Sequence, residues 1–143
     1  KKYQGTGPSM LFDLKKGPLT HNDSSWMAFR NNSFILECKW NSPRKIHEIT
    51  LSTFVNTYSY IFPPEYIEVV GGVDPANMEI LFRLDPVKQT EDRGASFDYH
   101  KCAIDAPLIS CLKIKVQPLL QIPVWHQGKG ERGWFFIDEV LIN

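Results

Sequence analysis

The sequence predicts an all-β domain, a sandwich of two antiparallel sheets. Three observations predict it: hydrophobic residues recur with a period of two, aromatic residues reach 13%, and 10 prolines interrupt stretches that would otherwise suit helices. Short alternating segments separated by Pro, Gly, Asn and Asp turns are typical of such sandwiches. The length of 143 residues fits one domain, residues 1–143, and the start without Met leads us to expect a fragment of a longer protein.

The first half of the chain predicts strands that end at turns. Residues 33–40 alternate apolar and charged side chains and end at Asn41-Ser42-Pro43. Residues 46–56 are rich in Ile, Thr, Leu and Val, which favour strands. Residues 65–70 follow the Pro63-Pro64 break and form the next predicted strand.

The second half continues the pattern after Gly71-Gly72 and a turn at Asp74-Pro75. We expect strands at residues 78–84, 95–102, 111–116 and 134–142, with alternate residues committed to one face. The expected apolar core is Trp26, Phe34, Leu36, Leu51, Ile67, Phe82, Ile114, Trp134, Phe136 and Val140. Residues 5–32 and 117–133 are long irregular loops, and loops on a rigid sandwich often carry binding residues.

Composition and motifs exclude several classes of function. Sixteen basic residues balance sixteen acidic ones, so nucleic acid is not an expected partner, and no apolar run is long enough for a membrane span. No nucleophile elbow, zinc-protease motif or phosphate-binding loop occurs. The adjacent pair Asp138-Glu139 lies in a predicted strand, where neighbouring side chains point to opposite faces. These two carboxylates therefore cannot flank one scissile bond as the acid pair of a glycosidase must. Three cysteines without a paired spacing are expected as buried apolar residues, with a bridge left open.

The segment most suited to binding precedes the last strand. It places Trp125, His126 and Gln127 on a glycine-containing loop before an aromatic-rich strand. Sugars bind such sites because their C–H faces pack on an aromatic ring while their hydroxyls form directional hydrogen bonds. We therefore expect Trp125 as a stacking platform, with His126 and Gln127 as hydrogen-bond partners and Tyr58 and Tyr60 at the rim. The alternative is that Trp125 and His126 pack under the loop and hold it closed.

The same segment carries a family resemblance. The run "PVWHQGKGERGWFFIDEVLI" resembles the closing motif of discoidin-like, factor V/VIII type C domains appended to bacterial family 20 glycoside hydrolases, the chitobiases and β-N-acetylhexosaminidases. "LFDLKKG" followed by "WMAF" resembles the opening of those domains, and "IHEITLSTFVNTYSYIFPPEYIEVVGGVD" their central strands and crossover. The resemblance spans residues 11–142. It departs at Leu14, where the family usually has Gly, and at the turn after Val73.

The resemblance implies a galactose-binding-domain-like jelly roll that serves as a non-catalytic accessory module. Its expected partners are a saccharide of the N-acetylglucosamine or galactose type and a catalytic domain of the same chain, in a secreted, periplasmic or cell-surface protein. The alternative from another class is a structural module that packs on the catalytic domain, or binds a protein, and has no glycan ligand. A free-standing enzyme is the weakest interpretation.

The resemblance also implies a structural Ca²⁺ ion. The matching positions are Asp13 in the opening loop and Glu139 in the last strand, with Asp23 as a weaker candidate and backbone oxygens of residues 16–20 completing the set. Ca²⁺ accepts six to eight oxygen ligands in loose geometry, many of them carbonyls. The alternative is that Asp13 caps a turn and Glu139 makes a hydrogen bond or salt bridge.

Overall fold

The predicted all-β sandwich is confirmed. The structure, a computed structural model, describes residues 26–143, and within that range eight strands form two four-stranded sheets. The strands are β1 (Met27–Phe29), β2 (Phe34–Arg44), β3 (Glu48–Val55), β4 (Tyr66–Gly72), β5 (Glu79–Leu84), β6 (Ser96–Ala103), β7 (Ile109–Gln117) and β8 (Phe135–Ile142). No helix long and apolar enough to cross a membrane occurs in the described range.

The sheets have the strand orders β1-β8-β3-β6 and β2-β7-β4-β5, and every pair is antiparallel. Only β4 and β5 are neighbours both in sequence and in a sheet; the other pairs join distant parts of the chain. This topology is a jelly-roll β-sandwich, and it brings several long connections to the same end of the molecule.

The main core lies between the two sheets. It includes Phe34, Leu51, Ile67, Ile114 and Val140, all buried as the alternating pattern predicts. A second buried cluster, which includes Trp26, Phe54 and Phe136, lies apart from the first, with Trp134 packed against it at half burial. The remaining two expected residues, Leu36 and Phe82, are half-buried and pack against the main core. Seven of the ten expected core residues are thus buried and three are half-buried, and the sequence did not predict their division into separate clusters.

Two elements differ from the prediction by more than two residues. The three-residue strand β1 lies inside the segment expected to be a loop, because pairing with β8 orders a stretch too short to show alternation. Strand β2 continues through the expected turn to Arg44, with a register shift between Lys39 and Arg44. β2 is an edge strand whose outer side has no neighbouring strand. Pro43, which has no N–H to donate, is tolerated in such a strand.

Strand β5 shows how a bulge changes which face a residue occupies. Its pairing with β4 shifts register between Val69 and Val70. A bulge changes the side-chain alternation on one side of the irregularity. Ile80, which the period-two pattern grouped with Phe82, is therefore 65% exposed, while its neighbour Leu81 packs against the core.

The three cysteines are free thiols, with Cys102 and Cys111 buried and Cys38 half-buried. Burial, with a smaller contribution from the charge of Glu48, raises the pKa of the Cys102 thiol to about 11, from an ordinary value of 9.0. A pKa raised on folding means that the unfolded chain loses the proton first as pH rises.

We therefore expect a pH-dependent loss of stability that depends on Cys102. Between pH 9 and 11 its contribution to the free energy of unfolding falls by about 2 kcal/mol. Urea unfolding at pH 8 and at pH 10.5 measures this, with Cys102→Ala as the comparison, because the variant retains the losses caused by every other titrating group, including Cys38, whose pKa burial also raises. An equal loss in both proteins contradicts the assignment.

Candidate functional site

Three connections meet at one end of the sandwich, which we call the loop end. They join β3 to β4 (residues 56–65), β5 to β6 (residues 85–95) and β7 to β8 (residues 118–134). The C-terminus lies at the opposite end, where the N–H of His47 donates to the carbonyl of Asn143 at 2.6 Å. Any ligand site built by the long loops is therefore remote from the C-terminus.

The β7–β8 loop closes on itself. The N–H of Ile122 donates to the carbonyl of Glu131 at 2.8 Å, and the N–H of Gly130 donates to the carbonyl of Ile122 at 2.9 Å. Gly130 has a φ of 83°, which glycine adopts without steric penalty. A compact loop whose ends approach each other presents its side chains from a fixed backbone.

His126 attaches this loop to the β3–β4 connection from the inside. Its side chain is buried, the N–H of Gly128 donates to Nδ1 at 2.9 Å, and Nε2 lies 2.7 Å from the carbonyl oxygen of Thr57. Because Nδ1 accepts, the proton is assigned to Nε2, which donates to Thr57. The structure thus corrects the expectation that His126 offers hydrogen bonds to a ligand, since both ring nitrogens are engaged within the protein.

Tyr60 forms the surface on which the loop rests. Its ring meets the His126 ring edge-on, with centroids 5.0 Å apart. A Cβ atom at Gly128 would lie 2.4 Å from Cε2 of Tyr60, so only glycine permits this approach. Tyr60 itself adopts a left-handed φ of 65° at the end of the short 3₁₀ turn Thr57–Ser59. Tyr60 is therefore half-buried beneath the loop, and its aromatic ring is part of the scaffold.

The β5–β6 connection is fixed by a polar network. The hydroxyl of Thr57 donates to Oδ1 of Asp92 at 2.8 Å and accepts from the N–H of Arg93 at 2.8 Å. The guanidinium of Arg93 forms a salt bridge and hydrogen bonds with the carboxylate of Asp98. Since Thr57 also accepts from His126 through its carbonyl, this one residue connects all three loops.

Trp125 lies where two of these loops meet. Its Nε1–H donates to the carbonyl of Gln89 at 3.0 Å, and its ring is 6.4 Å from that of Phe62. The side chain is half-buried and forms one wall of a groove of about 620 Å³. The groove is lined by Glu65, Lys88, Gln89, Thr90, Leu120, Gln121, Pro123 and Trp125.

The charged groups that the described residues bring to the groove form one ion pair. Nζ of Lys88 lies 2.6 Å from Oε2 of Glu65, and the N–H of Leu120 donates to Oε1 of Glu65 at 3.2 Å. Burial by itself raises the pKa of Glu65, but the hydrogen bonds from Lys88 and Leu120 and the charge of Lys88 outweigh it, so the pKa lies below its ordinary value. Glu65 is therefore ionised at neutral pH.

The other expected binding residues lie outside the groove lining. Gln127 is exposed, and Tyr58 is exposed on the 3₁₀ turn. The polar residues that do line the groove beside Trp125 were not singled out from the sequence. Gln89, Thr90 and Gln121 carry no motif, and they meet Trp125 only because separate loops converge.

The expected calcium ligands are described only in part. Asp13 and Asp23 lie outside the described residues. Glu139 is buried in β8, opposite Ser52 of β3. A buried carboxylate offers hard oxygen ligands of the kind Ca²⁺ prefers, so this residue fits the ion chemically. Within residues 26–143 no group of three or more His, Cys, Asp or Glu side chains is positioned to hold a metal.

Comparison with solved structures places this architecture among known domains. The carbohydrate-binding module CBM32 of AlyQ, solved with 4,5-unsaturated mannuronic acid, superposes with a TM-score of 0.57 at 13% identity, covering 99% of this chain and 88% of that one. The C-terminal domain of a chitobiase from Bacteroides fragilis superposes with a TM-score of 0.52 at 14% identity, covering 98% and 81%. The chain shares their fold.

At these identities the likeness establishes the fold, and it confirms the resemblance to the chitobiase C-terminal domain at that level. No family model and no curated protein sequence matches the chain. A shared fold does not fix a function, which depends on the residues of the groove itself.

Proposed function

We propose that this domain is a non-catalytic carbohydrate-binding module that binds a saccharide in the groove beside Trp125. The observation that carries the proposal is the fixed position of Trp125: its N–H is held by Gln89, and its ring borders an open groove. An aromatic ring held in this way offers a stacking surface without the entropic cost of ordering it on binding.

The groove supplies the polar groups that such a ring requires. Side-chain amides of Gln89 and Gln121 offer both donors and acceptors, and Thr90 adds a hydroxyl. Sugar hydroxyls need partners of both kinds, arranged around an apolar surface. The fold shared with a module solved in complex with a uronic acid derivative supports the same proposal.

The proposed affinity is weak. A shallow groove removes one or two sugar rings from water, so we expect a dissociation constant near millimolar, about −4 to −6 kcal/mol. Titration calorimetry with N-acetylglucosamine, galactose and their oligomers at millimolar concentration tests the proposal. Saturable heat with at least one of them supports it, whereas no heat with any of them favours the alternative of a structural or protein-binding module.

Substitution of two exposed glutamines tests whether the saccharide binds in the groove or at the tip of the loop. Gln121 lines the groove and Gln127 does not, although both are exposed. We expect Gln121→Ala to weaken saccharide binding about three- to tenfold, because one hydrogen bond to a neutral partner is lost. Gln127→Ala serves as the matched control and should leave the dissociation constant unchanged. Equal weakening by the two variants places the sugar on the tip of the loop instead.

A structural Ca²⁺ ion remains part of the proposal, with Glu139 as its described candidate ligand beside Asp13 and Asp23. A cation that binds only the folded state raises the melting temperature in proportion to its occupancy. We expect EDTA to lower the melting temperature by several degrees and added CaCl₂ to restore it. No shift in either direction rejects the ion.

We further propose that the domain accompanies a glycoside hydrolase catalytic domain in a secreted, periplasmic or cell-surface protein. The support is the sequence resemblance together with the fold shared with a chitobiase C-terminal domain. In that setting the module holds the enzyme near its polymeric substrate and raises the local concentration of bonds to be cleaved.

A further inference from the structure

We propose that the groove selects neutral over acidic saccharides, and that Glu65 determines this selectivity by compensating the charge of Lys88. The inference rests on the proposed function and specifies its ligand class. Among the described residues that line the groove, Lys88 is the only cationic side chain and Glu65 is the only anionic one. The affinity for an acidic sugar therefore depends on how far the carboxylate of Glu65 compensates the charge of Lys88.

Glu65 is fixed in place as the partner of Lys88. One of its carboxylate oxygens accepts from Nζ of Lys88 at 2.6 Å and the other from the backbone N–H of Leu120 at 3.2 Å. Only 27% of the Glu65 side chain is exposed, against 56% of Lys88. The carboxylate is thus held by the fold beneath a lysine whose tip reaches solvent.

An acidic sugar gains little from such a pair. Its carboxylate meets a cation already neutralised at 2.6 Å and also loses part of its hydration. The residues that follow Thr90, namely Glu91 and Asp92, are exposed acids outside the groove lining, so Glu65 is the described acid that an acidic sugar meets there. Like charges brought together at a binding surface discriminate against the wrong partner.

A neutral sugar meets no such penalty. The ammonium group of Lys88 has three N–H donors, and the bond to Glu65 uses one of them. The others remain available to hydroxyl oxygens, together with the amides of Gln89 and Gln121. The mannuronic acid derivative seen in the AlyQ module is therefore not the ligand class that this groove favours.

The test compares sugars that differ only in charge. Methyl galactoside and methyl galacturonide differ at C6, which carries a hydroxymethyl group in one and a carboxylate in the other; methyl mannoside and methyl mannuronide form a second pair. Calorimetric or NMR titrations in low salt preserve the electrostatic contribution. The wild-type domain should bind at least one neutral sugar about fivefold or more tightly than its acidic counterpart.

Variants assign the selectivity to Glu65. In Glu65→Gln the amide oxygen still accepts from Leu120, but Lys88 loses its counter-charge, and uronide binding should improve about three- to fivefold, with the gain lost at high salt. Glu65→Gln/Lys88→Gln should abolish the gain. Glu68→Gln is the matched control, because it makes the same change in charge outside the groove. There Glu68 pairs with Arg83 at 3.4 Å.

The outcomes separate the two proposals. Tighter binding of a uronide by the wild-type domain, or an unchanged ratio in Glu65→Gln, overturns the inference while carbohydrate binding stands. If none of the four methyl glycosides and no N-acetylglucosamine binds the wild-type domain or any variant, the inference and the proposed function are both overturned.

Discussion

Replacing His126 with Ala should destabilise the domain by about 3–5 kcal/mol. The substitution leaves the N–H of Gly128 without its partner, at a cost of about 1–3 kcal/mol, and the buried carbonyl of Thr57 keeps only its bond from the N–H of Tyr60. It also removes a ring that contacts Tyr60 and Phe62, with centroids 5.0 and 5.3 Å away. Urea unfolding followed by tryptophan fluorescence measures the loss.

Two further variants provide a control and an intermediate case for the His126→Ala substitution. His47→Ala is the matched control: its side chain is exposed, so the change in the free energy of unfolding should stay within about 0.5 kcal/mol. His126→Asn offers an acceptor near the N–H of Gly128 and should be intermediate. A loss below about 1 kcal/mol in His126→Ala means that His126 does not hold the loops together.

Replacing Trp125 with Ala should remove measurable saccharide binding while the domain stays folded. Loss of a stacking surface of this size costs about 1–3 kcal/mol of binding energy, enough to move a millimolar ligand out of range. The stability cost is of similar size, about 1–3 kcal/mol, since the side chain is half-buried and gives up its contact with Phe62 and its bond to Gln89. Calorimetry and thermal unfolding measure the two effects separately.

Trp40 provides the control for this substitution. It is also half-buried, but it lines a different groove, of about 450 Å³, that includes the C-terminal Asn143, and its ring lies 4.8 Å from the guanidinium carbon of Arg44. Trp40→Ala should leave the saccharide affinity unchanged. If Trp40→Ala abolishes binding and Trp125→Ala does not, the ligand site is at the C-terminal end of the sandwich.

The strands were predictable because their signal is local. Alternation along residues 33–40 already shows which side of β2 faces the core, and burial of Phe34 confirms it. The exposure of Ile80 was not predictable, because it depends on a bulge at Leu81, where the pairing with β4 passes from Phe82 and Val69 to Ile80 and Val70. The strand β1 was missed for a related reason: three residues carry no period, and their order comes from pairing with β8.

The sequence predicted a binding-site residue only where the residue type and its local context together indicate binding. Trp125 stood out as an aromatic residue on a glycine-containing loop, and the structure places it at the wall of a groove. Its partners could not be identified, because Gln89 lies 36 residues away and Glu65 enters from another connection. His126 has the packing role that the sequence left open as the alternative, and the local motif could not decide between the two because the carbonyl that holds it belongs to Thr57, 69 residues away.

The most direct test of the central claim is an NMR titration of the ¹⁵N-labelled domain with a neutral saccharide at millimolar concentration. The indole N–H of Trp125 is hydrogen-bonded to Gln89 at the groove wall, so it reports on this site. We predict saturable shift changes at that indole and at the amides of Gln89, Thr90 and Gln121, with the Trp40 indole unchanged. Shift changes confined to Trp40 and Arg44, or none with N-acetylglucosamine, galactose or their oligomers, would contradict carbohydrate binding in this groove.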